Sequence, residues 1–593
     1  MAAERSFVVF MDFARMCSRW EVDGSLVGGR PTGRANSAKD DDKKRAPEGM
    51  CGILGIFKEE GVDGTTRTMA YEQSRLQRHR GPDGTGVVVF AKGVMVQERL
   101  CLIGVESGRQ PLVSLSGDTV VAANCEIYNY KSFIPLIEAH HRKRYVPRSD
   151  ADVIVELYEM YGEEMVRMLA GMFAFVLYDK KQDLVLVCRD SLGILPLYVG
   201  DDGSGGVWVS SEMKCLIGKC SEVSVVEPGH YLYGGIMSLE KKRYFEASWI
   251  HSVPTRAVDL DKIRSLLVRE VELHLQAETS VGALLSGGLD SSLVAGIASR
   301  IMKEGSVAGK LDTYSVGMVG SPDLGYAREV AEYIGSKHHE VTFDLCEGLD
   351  CIREVIWFLE SYDVTTVRAS IPMYILSRSV KKYGTKVILS GEGADEIFGG
   401  YLYFHSAPDD GEFHRETVRR TLELSYFDCL RANKSTMAWG VEARVPFLGR
   451  AFVEYCMGTD PRDRRSRSRL DSEGSGMEKY VLRKAFSGLG FIPECVIWRQ
   501  KEQFSDGVGY GWIDGLRLYC ESKVTDEEFG KRFSRFEYNT PHTKEGYYYR
   551  CVFDEMFGRV GETTVKSWVP RTDWGCSSDP SGRKQRAHVS QQG

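Results

Sequence analysis

Two strand-like runs, each leading into a glycine-rich loop, constrain this chain more than any other feature. Val281-Gly282-Ala283-Leu284-Leu285 runs into Ser286-Gly287-Gly288-Leu289-Asp290-Ser291-Ser292 and then into a helical stretch, residues 291–302. Lys386-Val387-Ile388-Leu389 runs into Ser390-Gly391-Glu392-Gly393-Ala394-Asp395-Glu396-Ile397-Phe398-Gly399-Gly400-Tyr401. Between them lie strand-like Thr313-Tyr314-Ser315-Val316 and a helical segment at 326–334. Strands alternating with helices predict an α/β fold with a parallel, doubly wound sheet, whose ligands sit outside the carboxyl ends of its strands.

The loops carry the chemistry such a position needs. Glycines let the backbone approach a phosphate closely, and a helix N-terminus adds unpaired N–H donors and the positive end of its dipole. Ser286, Ser291 and Ser292 add hydroxyl donors, and Asp290 is a hard oxygen ligand suited to Mg2+. The loop is not a Walker A motif, because Gly-x-x-x-x-Gly-Lys is absent. A Ser/Gly turn capping a helix is the bland alternative, weakened by the second glycine- and carboxylate-bearing loop after another strand. Arg368, in Asp363-Val364-Thr365-Thr366-Val367-Arg368, is a charged fork able to hold a carboxylate. Lys501, in Trp498-Arg499-Gln500-Lys501-Glu502-Gln503-Phe504, is a cation available to phosphate charge.

The preceding region reads differently. From Cys51 to about Val253 the pattern is short buried-type apolar runs at 86–90, 120–124, 172–178 and 184–187, with a turn at 201–206 and helices at 68–77 and 152–161. That mixture predicts a sheet sandwich with outer helices. The pattern changes around 251–259, after which a helix is expected at 262–275. Residues 460–476 form a polar loop rich in Arg and Ser, and periodicity is lost after about Lys566, which predicts a flexible tail.

A chain of 593 residues is long enough for several domains. Its net charge of -7 argues against a nucleic-acid partner. The 15 cysteines are scattered and contain no CxxC pair, so neither a zinc ribbon nor a disulfide framework is suggested, and a reducing, cytoplasmic compartment fits best. No apolar run approaches the ~20 residues that span a bilayer. The stretch Phe7-Val8-Val9-Phe10-Met11 is too short for a secretory core, and residues 21–49 are polar and charged, as a solvated linker is.

With the motifs assembled, residues 50 to about 560 resemble the glutamine-hydrolysing asparagine synthetases. The resemblance rests on Met50-Cys51-Gly52-Ile53-Leu54-Gly55, Arg78-His79-Arg80-Gly81-Pro82-Asp83, Asn124-Cys125-Glu126-Ile127-Tyr128-Asn129, Ser149-Asp150, the two glycine loops, Val441-Glu442-Ala443-Arg444-Val445-Pro446-Phe447-Leu448 and the Trp498–Phe504 stretch, all in family order. It implies a class II amidotransferase at 51–253 with the αββα sandwich of N-terminal nucleophile enzymes. At 259–565 it implies a doubly wound ATP-pyrophosphatase domain whose phosphate loop is Ser286 to Ser292. Residues 1–50 would be a leader and 566–593 a tail.

The roles implied by the resemblance follow position by position. Cys51 is the nucleophile and its own α-amine the base, with an ordinary amine pKa of about 7.7–8.0. Asn124 and the N–H of Cys125 hold the oxyanion. Arg99, Leu100, Cys101, Leu102, Ile103, Glu126 and Asp150 complete the L-glutamine site. Leu284, Val316, Ser390 and Gly391 contact the adenosine of ATP. Ser286, Gly287, Gly288, Leu289, Asp290, Ser291 and Ser292 hold pyrophosphate, and Asp290 with Asp395 binds Mg2+. Thr365, Thr366 and Arg368 face L-aspartate, Glu392 serves the intermediate or takes a proton from ammonium, and Lys501 stabilises phosphate charge. A homodimer and an internal ammonia passage are implied as well.

Because the α-amine must be free, the working chain is expected to begin at Cys51, by processing or by a start at Met50. Two departures from the family stand out: Cys125 replaces Gly, which costs roughly 1–2 kcal/mol if φ is positive there, and Gly449 replaces an Asp that would cap a helix. A second thiol beside the nucleophile also invites oxidation. The alternatives are a synthetase limited to free ammonia, a related acid-activating enzyme such as a β-lactam synthetase, and a non-catalytic homologue that keeps the fold.

Overall fold

The computed structural model describes residues 51–100, 110–305, 309–466, 476–501, 507–509 and 511–577. The first described part carries twelve strands: β1 (Cys51–Phe57), β2 (Gly84–Phe90), β3 (Gly93–Arg99), β4 (Leu112–Val113), β5 (Thr119–Ile127), β6 (Gly171–Asp179), β7 (Leu184–Arg189), β8 (Tyr198–Asp201), β9 (Val207–Ser210), β10 (Glu222–Val225), β11 (His230–Gly234) and β12 (Glu240–Arg243). They form two antiparallel sheets, ordered β10-β8-β9-β1-β3-β2 and β12-β11-β7-β6-β5-β4.

Strand periodicity explains why β1 is buried along its whole length. Ile53 and Phe57 point between the sheets, into a core shared with Val121, Phe175 and Leu177. Leu54 and Ile56 point the other way, into a second core with Ala70 of the helix Gly64–Ser74. That helix packs on β1 and β3, and the helix Asp152–Tyr161 packs on β4 and β5. The layers are therefore helix, sheet, sheet, helix, as expected. The expected helix at 68–77 starts earlier, where Asp63 accepts the Thr66 N–H as N-cap, and then tightens into a 3₁₀ segment, Arg75–Arg80.

The second part holds a five-stranded parallel sheet of β13 (Val281–Leu284), β14 (Asp312–Met318), β15 (Lys337–Phe343), β16 (Val387–Leu389) and β17 (Glu442–Arg444). The order is β15-β14-β13-β16-β17. The chain moves outward from β13 and then returns to its other side, so the direction reverses between β13 and β16. In such sheets the crevice at that reversal is where ligands bind, and both glycine loops leave their strands there. The helix Leu260–His274 is capped by Asp259 and buries Ile263, Leu266, Leu267 and Val271.

Three expectations change. Residues 441–448 carried a motif but no expected strand, yet 442–444 form β17. The loop at 460–476 begins with a buried helical turn, Pro461–Arg464, and its residues 467–475 lie outside the described residues. The tail expected to be loose from 566 packs back at its start: Trp568 is buried and donates its N–H to Asp363 Oδ1 at 2.7 Å. Residues 1–50 and 578–593 lie outside the described residues.

Gly449 precedes the helix Arg450–Met457 and supplies no side-chain cap. A β-carbon there would lie 2.1 Å from a carboxyl oxygen of Glu270, so Glu270 fills the space a capping side chain would use. No described helix is long and apolar enough to cross a membrane.

Candidate active site

Cys51 opens β1 opposite Arg99, the last residue of β3. Its side chain is buried, and Sγ lies 3.9 Å from the Leu100 carbonyl oxygen. Burial pushes the thiol pKa up to about 11, partly offset by Gln97, the Leu100 backbone and the charge of Arg99. On β5, Asn124 Oδ1 accepts the Cys51 backbone N–H at 3.3 Å, while Asn124 Nδ2 is buried without a hydrogen-bond partner. Leaving a buried donor unpaired costs about 1–3 kcal/mol, so such a group calls for an explanation. An unpaired amide beside a buried thiol is the arrangement an oxyanion hole requires.

Cys125 sits in regular register opposite Phe173 and is not one of the described non-glycine residues with positive φ. The strain that a positive φ would impose on a β-carbon here is therefore absent. Its Sγ lies 3.9 Å from Asp150 Oδ2. Burial, followed by the charges of Asp150 and Glu126, pushes this thiol well above its ordinary range. It stays protonated, which works against the oxidation anticipated from sequence, since the thiolate is the reactive form.

Asp150 accepts the Ile127 N–H at 2.7 Å, and burial raises its pKa to about 6. Glu126 is pushed up by burial, with Arg444 opposing, and its carboxylate lies 2.9 Å from the Arg444 guanidinium. The structure thus brings Cys51, Arg99, Leu100, Asn124, Cys125, Glu126 and Asp150 together around one end of β1, β3 and β5. It also shows Glu126 already engaged by an arginine from β17. Cys101, Leu102 and Ile103 lie outside the described residues.

A second pocket opens at the reversal between β13 and β16. Leu284, Ser286, Gly288, Leu289, Asp290 and Ser291 line it with Val316, Ser390, Gly391, Glu392, Asp395, Thr365, Thr366 and Lys501. The two loops touch: a β-carbon on Gly391 would lie 2.8 Å from Ser291 N and 2.9 Å from Asp290 C. Gly287 has φ +75°, and a β-carbon there would meet Ala327 N at 2.6 Å. Gly287 and Ser292 do not line the wall. Gly287 instead accepts Arg499 Nη1 at 3.0 Å, and Ser292 is buried in the helix Leu289–Glu304.

Ion pairs fill this pocket. Asp395 contacts Lys479 at 2.6 Å and Lys501 at 2.5 Å, and Lys479 also reaches Asp290. Burial alone would raise the Asp395 pKa, but the two lysines outweigh it and hold it below the usual carboxylate range. For Lys501 burial works downward, and the charges of Asp395 and Asp290 reverse it. Glu392 is raised by burial against the pull of Arg431, which lies 2.7 Å away. Asp290 Oδ1 is buried without a hydrogen-bond partner. A hard oxygen on a phosphate loop fits Mg2+, which is commonly held by one or two carboxylates plus substrate phosphates. Among the described residues no group of three or more potential ligands forms a protein-only cage.

Arg368 does not face this pocket. Its guanidinium donates to both Glu545 oxygens, at 2.8 and 2.5 Å, and the pair is buried. Arg431, by contrast, lines the same pocket as Thr365 and Thr366 and pairs with Asp428 at 2.7 Å. Sequence reading missed Arg431, Asp428, Lys479 and Trp568, all on the pocket wall. Only the i, i+3 spacing of Asp428 and Arg431 on a helix offered a signal.

The family model described as a glutamine amidotransferase domain matches residues 50–252, and that described as asparagine synthase matches 262–411 and 405–575. The chain is 44% identical over 560 residues to a probable glutamine-hydrolyzing asparagine synthetase of Dictyostelium discoideum, covering 91% of this chain and 100% of that protein. It is 44% identical over 577 residues to glutamine-hydrolyzing asparagine synthetase 1 of Saccharomyces cerevisiae, covering 91% and 99%. Against glutamine-hydrolyzing asparagine synthetase B of Escherichia coli it is 43% identical over 566 residues, covering 91% and 100%. With both domain models matched in order and these relatives covered along almost their entire length, the chain belongs to the glutamine-hydrolysing asparagine synthetase family.

Proposed function

We propose that this protein makes L-asparagine from L-aspartate, with L-glutamine as nitrogen donor and ATP as the activating substrate. The observation that carries the reading is the pocket between β13 and β16, where a phosphate loop, Glu392 and Lys501 meet. There the aspartate β-carboxylate attacks the α-phosphorus of ATP, giving β-aspartyl-AMP and pyrophosphate. Ammonia then attacks the activated carbonyl and AMP leaves.

Lys501 and Lys479 meet the phosphate charge, the N-terminus of Leu289–Glu304 supplies N–H donors, and Arg431 takes the place assigned to Arg368 opposite the substrate carboxylate. Glu392, raised by burial, accepts the proton that ammonium or the attacking nitrogen sheds. Asp290 and Asp395 would hold Mg2+, which when bound offsets phosphate charge.

In the first domain the Cys51 thiol attacks the glutamine amide, ammonia leaves, and water hydrolyses the thioester to glutamate. Asn124 Nδ2 and the Cys125 N–H receive the oxyanion. Asp150 and Glu126 face the substrate ammonium, with Glu126 exchanging Arg444 for it. The Cys51 α-amine is the base, so the working chain begins at Cys51. The free thiols of the described cysteines support a reducing, cytoplasmic setting.

The test is AMP and asparagine formation from aspartate and ATP, with ammonia and with glutamine, on protein whose N-terminus has been sequenced. No asparagine from either nitrogen source would reject the reading. Asparagine from ammonia alone, on protein in which Met50 remains joined to Cys51, would limit it to an ammonia-dependent synthetase.

A further inference from the structure

One helix serves both sites. Asp428–Met437 is buried at every position. Toward its start, Asp428 and Arg431 line the ATP pocket, and Arg431 holds Glu392 at 2.7 Å. Further along, Asn433 Oδ1 accepts Arg80 Nη2 at 2.9 Å across 353 residues of sequence. Lys434 approaches Glu212 at 3.3 Å and also pairs with Glu360. Arg80 is itself fully buried: its Nη1 donates to Glu212 at 2.6 Å and its Nε reaches the Cys51 carbonyl at 3.5 Å. Residues two apart on a helix point about 200° apart, so Arg431 and Asn433 face opposite sides of one rigid element.

We propose that Asn433 is a positioning residue that couples the two sites. Aspartate and ATP draw Arg431 and Asp428 into new contacts, the helix shifts as a body, and Asn433 passes the shift to Arg80 and so to the backbone of the nucleophile. Filling the second pocket then raises glutamine hydrolysis at the first. The part of this coupling that acts on glutamine binding is reciprocal, so to that extent glutamine in turn tightens aspartate and ATP binding, whereas an effect on the hydrolytic step alone need not be returned. Asn433 touches no substrate and carries no charge, so its removal leaves the pocket's own ion pairs intact. The inference rests on the two-site reading above.

The test compares glutamate release with and without aspartate plus ATP. In the unaltered enzyme these ligands should raise kcat/KM for glutamine several-fold. In Asn433→Ala the ratio should fall to about one, while ammonia-dependent synthesis stays within about twofold. Asn433→Asp, which keeps an acceptor for Arg80, should restore the ratio. If the alanine variant does not fold, Asn433→Ser, whose oxygen is too short to reach Arg80, is read in the same way.

The proposal is overturned if the unaltered enzyme shows no stimulation, if Asn433→Ala or Asn433→Ser keeps it, or if ammonia-dependent synthesis falls in proportion. If no asparagine forms but the ligands still change glutamate release through Asn433, the activity reading fails and this one stands.

Discussion

The two sites are prepared in opposite ways. Around Cys51 preparation is by desolvation: a buried thiol held neutral by a pKa of about 11, and an amide donor left unpaired beside it. Around Asp395 preparation is by charge: Asp290, Asp395, Lys479 and Lys501 are joined in one cluster, and Glu392, Arg431 and Asp428 in another. At the first site the oxyanion charge develops only as the reaction proceeds, so the reacting centre rewards neutral donors already in place. The second must receive a polyanion, and the lysines that hold Asp395 are the groups that phosphate oxygens would take over. A site built from desolvation depends on single neutral donors. One built from ion pairs depends on keeping each partner, since removing one leaves a buried charge unpaired.

The sharpest break in this comparison is Cys51→Ala. Removing the proposed nucleophile should lower glutamine-dependent synthesis by about 10⁴-fold or more, with ammonia-dependent synthesis kept within about twofold. Asparagine formation with each nitrogen source reads it, and an equal fall in both would erase the separation.

Next are two mirrored substitutions. Asn124→Ala removes one oxyanion donor and should cost about 10²–10³ in kcat for glutamine hydrolysis while sparing the ammonia reaction. Lys501→Ala should lower synthesis with either nitrogen source on a similar scale and leave glutamate release without ATP unaffected. Crossed effects would contradict the assignment of each residue to one site.

A smaller effect comes from pH. Asp150 has its pKa raised to about 6, so it is anionic above that pH and neutral below it. The glutamine ammonium therefore loses a partner as pH falls, and KM for glutamine should climb through pH 6. Asp150→Asn should give a high KM without that inflection, measured as glutamate release across about pH 5–8, a range that spans the titration.

What was legible in sequence follows the same division. The glycine loops could be read because strand, loop and helix are contiguous and their order in a doubly wound sheet dictates where they meet. Neighbours supplied by distant segments could not. Arg368 looks like a free carboxylate fork until Glu545 is placed against it, and Glu126 looks free until β17 brings Arg444 beside it. Trp568 lay in a stretch without periodicity, because one buried aromatic needs no repeating pattern to pack. The effect of Cys125 could not be read from sequence for a related reason: its identity departs from the family, but whether a β-carbon matters depends on φ, which only the folded backbone reveals.

Cys125→Gly makes that last point measurable and is the mildest change. In strand geometry the N–H at position 125 is aimed by the pairing of β5 with β6, which a glycine keeps. The oxyanion donor should therefore survive, and kcat for glutamine hydrolysis should stay within about twofold, a difference worth under about 0.5 kcal/mol. Stability should drop instead, by about 0.5–1 kcal/mol, because glycine loses more backbone freedom on folding than cysteine does. Denaturant unfolding reads the second number and glutamate release the first. A large gain in activity on restoring glycine would mean that the cysteine side chain itself obstructs the oxyanion, and desolvation would then not be the whole account of how this site is prepared.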